Sequence, residues 1–123
     1  MTKAGAIHKF LSGFGLEPHA DTAVPKDALL PCLTYQLSTA GWGDGEVSLT
    51  VDLWYYGGSE AEPNAKAEEL SKAVGMGGVT LPCDSGLIWL KRGSPFCQSL
   101  SDQNDKNVKR RHINLSAEFL TID

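Results

Sequence analysis

Glu46-Val-Ser-Leu-Thr-Val-Asp-Leu-Trp-Tyr-Tyr-Gly-Gly58 carries the strongest structural signal in the chain. Val47, Leu49, Val51, Leu53 and Tyr55 alternate with Ser48, Thr50, Asp52 and Trp54. Successive side chains of an extended strand point to opposite faces, so this stretch specifies a strand with one face in a core. Ser59-Glu-Ala-Glu-Pro-Asn64 then leads into the helix-like Ala65-Lys-Ala-Glu-Glu-Leu-Ser-Lys-Ala-Val74, with Ala67, Leu70, Ala73 and Val74 as its buried stripe. Ser59 stands three residues before Glu62, the spacing of a capping box; Pro63 suits a first helical turn, and Gly75 ends the helix. A strand that hands over directly to a helix points to a fold mixing the two.

The flanking segments extend that pattern. Ile7, Phe10, Leu11 and Phe14 share one face of an amphipathic helix over residues 2–14, with Gly15 as its stop. Leu16 to Pro31 reads as an irregular surface crossing, because Pro18, Pro25 and Pro31 oppose any long regular element; His19 lies on it. Cys32 to Thr39 alternates again through Leu33, Tyr35 and Leu37, and Ala40-Gly-Trp-Gly-Asp-Gly45 is turn chemistry that predicts a hairpin into the Glu46 strand. Val79-Thr-Leu81 and Leu87-Ile-Trp-Leu-Lys91 are short strands around the turn Pro82 to Gly86. Ser94 to Asn107 reads as a polar loop, and Val108 to Ile122 as a long closing strand with Ile113, Leu115, Ala117 and Phe119 on one face. The predicted fold class is α+β: one domain over residues 1–123, a mixed, mainly antiparallel sheet with two helices on one face. The other face and the sheet edges are left to partners.

Composition sets broad limits. A chain of 123 residues can bury a core without metal or disulfide staples, and 41% hydrophobic with 21% charged residues is ordinary for a globular protein. A net charge of −4 gives no global attraction to nucleic acid or an anionic membrane. No run reaches the roughly 18 to 20 apolar residues of a spanning helix, and the N-terminal stretch lacks the apolar core of an export signal. The expectation is a soluble protein made in the cytoplasm. Cys32, Cys83 and Cys97 are odd in number and widely spaced, which predicts free thiols; no spacing brings them together with His8, His19 or His112 as a zinc site.

Residues that would carry catalysis are sparse. Gly41-Trp-Gly-Asp-Gly45 and Gly75-Met-Gly-Gly78 match neither phosphate-loop spacing, no nucleophile elbow occurs, and acidic residues are scattered or lie on the exposed helix face. The prediction is therefore no enzyme, cofactor or metal. Two features stand out as candidate contact sites. Trp42, with Asp44 beside it, projects from a glycine-rich turn, where a large ring either folds back on its own sheet or meets a partner. Lys106-Asn-Val-Lys-Arg-Arg-His112 concentrates positive charge on an acidic chain, as a solvated strand end or as a contact with an acidic partner or DNA. Alternation puts Lys109 and Arg111 on the Ile113 face and Arg110 on the His112 face. If these are strand-end charges, reversing Lys109 and Arg110 leaves the fold intact and blocks assembly.

The order and spacing of Pro31-Cys-Leu-Thr-Tyr35, Val51-Asp-Leu-Trp-Tyr55, Asn64-Ala-Lys-Ala-Glu68, Cys83-Asp-Ser-Gly-Leu-Ile-Trp89, Lys91-Arg-Gly-Ser-Pro-Phe96 and Arg110-Arg-His-Ile-Asn-Leu115 resemble phage tail terminator, or tail completion, proteins. The resemblance covers nearly the whole chain. It implies a minor structural protein of the virion: a homo-oligomeric ring, expected to be a hexamer, that caps the tail tube protein, meets a head connector or stopper protein and passes duplex DNA as cargo. Trp42, Asp44, Lys106, Lys109, Arg110 and Arg111 are then interface candidates, and no membrane is involved. Alternatives within the virion are a stopper or tail tube subunit; from another class, a small α+β enzyme or ligand-binding domain whose site assembles only in three dimensions.

Overall fold

Two long strands organise the molecule. Glu46–Tyr56 (β3) and Val108–Thr121 (β6) pair antiparallel along their length, setting Val47 against Ala117, Leu49 against Leu115 and Val51 against Ile113. Both strands carry apolar residues at every second position, and this register brings the two apolar rows together on one face. The computed structural model describes all 123 residues. It adds Glu17–Ala20 (β1), Cys32–Gln36 (β2), Val79–Cys83 (β4) and Gly86–Ser101 (β5) to form one six-stranded sheet in the order β1-β2-β3-β6-β5-β4. Only β1 and β2 run parallel; every other neighbouring pair is antiparallel. The fold is α+β, with a mixed, mainly antiparallel sheet.

Helices Lys3–Leu11 (α1) and Ala61–Val74 (α2) cover the apolar face. Thr2 caps α1 by accepting the Gly5 N–H at 3.0 Å, and a 3₁₀ turn over Ser12–Phe14 carries the chain to Gly15, whose φ of 75° ends it. Ile7, Leu11 and Phe14 from this end, and Ala67, Leu70 and Val74 from α2, join Leu33, Leu53, Ile88, Leu90, Ile113 and Phe119 in one core. Burying each such side chain contributes about 1.5–3 kcal/mol. The opposite face, with Thr50, Asp52, Trp54, His112, Asn114 and Ser116, has no layer over it and is polar because it meets solvent.

Several segments differ from their sequence reading. Glu17–Ala20 is a strand inside the segment read as irregular: Pro18 is admitted because β1 is an edge, where a missing N–H breaks no ladder. Strand β2 ends at Gln36 where the sequence reading carries it to Thr39; the predicted hairpin into β3 forms, but residues 37–45 make its connection long and not a tight turn. That connection is tied to the far strand instead, through the Trp42 N–H on the Thr121 carbonyl at 3.1 Å. The helix begins at Ala61, and Ser59 Oγ accepts the Ala61 N–H at 3.2 Å rather than forming a capping box with Glu62. Ala73 is exposed, while Ala67, Leu70 and Val74 face the sheet. Ser94 to Ser101, where a loop is predicted, belongs to β5, which crosses an irregularity between Arg92 and Cys97 and pairs with β6 again from Cys97. The Asn114 side-chain amide donates to the Pro95 carbonyl and to Gln98 Oε1, tying this segment to β6.

Candidate assembly surface

The basic segment sits at one end of the sheet and Trp42 at the other. Val108 pairs with Tyr56 and Lys109 with Ser101, so Lys106–His112 lies where β3 finishes; Trp42 bonds Thr121, where β6 finishes. Eleven residues of β3 separate them, roughly 35 Å at about 3.3 Å per residue. The two candidate surfaces are thus distinct.

Trp42 is 71% exposed. Its ring does not fold back on the sheet, and the turn beneath it is held by Asp44, whose Oδ2 accepts the Gly41 N–H at 2.8 Å. Gly41 itself lies against the C-terminal backbone, since a Cβ there would fall 2.9 Å from the Asp123 carbonyl oxygen. The turn therefore presents an aromatic ring on a fixed base.

The four basic side chains divide sharply. Arg111 is only 2% exposed: its guanidinium lies beneath α2, donating to Asn64 Oδ1 at 2.9 and 3.0 Å and to Glu60 Oε1 at 2.8 Å. Lys109 reaches the other oxygen of Glu60 at 3.5 Å. Arg110 points to the open face and donates to Asp52 Oδ1 at 2.8 Å, with its guanidinium carbon 5.0 Å from the Trp54 ring centre. Only Lys106 has no side-chain hydrogen bond or ion pair; its ammonium is free in the β5–β6 loop, two residues before β6 begins. The expectation that these charges are strand-end decoration is thus corrected for Arg110 and Arg111, because register places both over partners on neighbouring elements.

Sequence reading missed the open-face cluster around Asp52. His112 Nδ1 lies 2.9 Å from the same Asp52 oxygen that takes Arg110, and Trp54 Nε1 donates to Thr34 Oγ1 at 2.8 Å, so β2, β3 and β6 are stitched across their polar face. The available signal was the register: Asp52 stands opposite His112 and Trp54 opposite Arg110. Neither imidazole nitrogen of His112 bonds a serine or cysteine. Farther along the face, Lys91 bridges Glu46 and Glu118 above the Trp89 ring, 3.7 Å from its centre. The Lys91 partner holds the Glu46 carboxyl below the usual carboxylate range.

Cys32, Cys83 and Cys97 are unpaired, and burial pushes the thiols of Cys32 and Cys97 up. No cluster of three or more His, Cys, Asp or Glu side chains is placed to hold a metal ion. No helix is long and apolar enough to cross a membrane. No family model, curated protein or solved structure matches the chain.

Proposed function

We propose that this chain is a structural subunit of a phage tail that closes into a ring at the end of the tail tube and joins it to the head. The observation that carries the reading is the pair of unlike, unpaired margins of the sheet. On one side β1 is a four-residue edge containing Pro18; on the other, β4 pairs only with Gly86–Leu90, so β5 from Lys91 to Ser101 has a strand on one side alone. Unlike margins on opposite sides of a subunit favour head-to-tail association, which closes into a ring when the rotation allows. The exposed Trp42 ring and the Lys106 loop, at opposite ends of the strands, then fall on the two rims of that ring, where a tail tube and a head connector would be met. A role in assembly also agrees with the resemblance in order and spacing that runs along the chain.

Subunits that wait for a tube to reach its length must associate weakly on their own. Light scattering over a concentration series, followed by electron microscopy with purified tail tubes, tests this. The expected result is a small species at low concentration and a closed ring, its pore wide enough for duplex DNA, when concentrated or offered tubes. A tight dimer unchanged by concentration or tubes would overturn the reading.

A further inference from the structure

Tyr55 is the last core-facing residue of β3 and is 7% exposed, yet its hydroxyl makes no hydrogen bond within the chain. No fully buried polar side-chain atom lacks a partner, so this hydroxyl retains access to solvent. It does so through a cleft of about 350 Å³ between α2 and the starts of β1 and β2, lined by Leu16, Pro31, Tyr55, Glu62, Lys66 and Glu69, with Ala65 between the charges. Lys66 is already engaged, donating to the Phe14 carbonyl at 2.6 Å and to Glu69 at 2.8 Å. Glu62 has no partner, which leaves the cleft one negative charge in excess. Burial and the nearby carboxylates of Glu62 and Glu69 push the Tyr55 phenol up. Apolar walls, an excess carboxylate and an unpartnered phenol oxygen suit the methylenes and ammonium of a lysine side chain.

We infer that this cleft is the socket for Lys106 of a neighbouring copy. Cys32 pairs with Trp54, Tyr56 with Val108 and Ser101 with Lys109, so the cleft and the β5–β6 loop lie at the same end of the sheet. They stand on opposite halves of the sheet: Leu16, Pro31 and Tyr55 belong to the β1-β2-β3 half, whereas the loop joins β5 to β6 on the other half. A copy set beside the first by rotation alone therefore brings its loop toward this cleft. Lys106 is the one cation of the basic segment that its own chain leaves unengaged, and it meets the carboxylate left unengaged across the way. This contact rests on the ring reading and names one of its bonds.

The test is a charge swap followed by sedimentation and light scattering, with circular dichroism as a check on folding. Lys106→Glu and Glu62→Lys are both exposed changes; each alone should weaken self-association at least tenfold, and the double variant should recover most of the loss. Tyr55→Phe keeps the ring buried and should weaken association several-fold without lowering the thermal midpoint. Single variants that associate like the wild type, or a double variant no better than the singles, overturn the socket. A closed ring indifferent to the swap sinks this contact and leaves the ring standing, whereas a dimer or open chain that shows the rescue supports the contact and sinks the ring. A protein that stays monomeric at every concentration and also when offered tail tubes overturns both.

Discussion

Arg111 shows how much a single side chain can mislead when its face is known and its neighbours are not. Alternation correctly puts it with Ile113, but the partner on that face is α2, and the guanidinium ends as an internal brace rather than a free charge. Arg111→Ala should destabilise the subunit by about 2–4 kcal/mol, through lost packing of the stem together with lost charge-assisted hydrogen bonds. Arg111→Met, which keeps most of the stem, should cost about half as much; denaturant unfolding measures both. Reversal at the next position has a different origin of harm. Arg110→Glu puts a carboxylate beside Asp52, whose side chain is only 16% exposed, and should cost about 1–3 kcal/mol. An assembly defect in that variant would therefore be confounded with unfolding. Lys106 is the informative site for charge reversal, since nothing in its own chain depends on it.

Elements differ in how far the sequence discloses them, and the difference follows from where each finds its partner. Strands β3 and β6 are fully legible because a half-buried central strand must alternate, and α2 nearly so because Leu70 and Val74 mark its buried stripe. Strand β1 is invisible because an edge with solvent on one side needs neither alternation nor an unbroken row of N–H groups. The far half of β5 is hidden for a related reason: Gln98, Ser99, Leu100 and Ser101 are all exposed, so its extended form is imposed by pairing with β6 and not by its own composition. The candidate site follows the same rule. Trp42 and Lys106 stand out by residue type alone, whereas Asp52, Tyr55 and Glu62 acquire meaning only from register and packing. One element junction has a measurable pH signature. Arg111, by its hydrogen bond, holds the Glu60 carboxyl below the usual range. A depressed acid stabilises the fold at pH above its ordinary value, near 4.3, and that contribution is lost as pH falls through the lowered one. Glu60→Gln should thus lower stability at neutral pH and flatten its decline on acidification, as read by thermal melts from about pH 7 to 3.

For the whole molecule, the two ends of the sheet should be separable by mutation. Trp42→Ala removes a ring that is mostly in solvent, so the thermal midpoint should move little, within about 0.5 kcal/mol. Under the proposed tail role, its effect should instead appear in binding to tail tubes or heads. A loss on the scale of a core aromatic, about 3–5 kcal/mol, would contradict the exposed placement. The unpaired margin of β5 has a dynamic consequence as well. Between Arg92 and Cys97 the ladder with β6 loses register, and beyond that break Cys97–Ser101 runs along β6 without β4 beside it. Such a segment can open without disturbing the main core, at a free-energy cost below that of global unfolding. Its amide protons should exchange with deuterated water well before those of Leu49–Leu53, while the isolated subunit keeps its overall fold. Assembly that covers this margin would slow the same amides selectively, so the order in which protection appears along β5 would record the closing of a neighbour onto its edge.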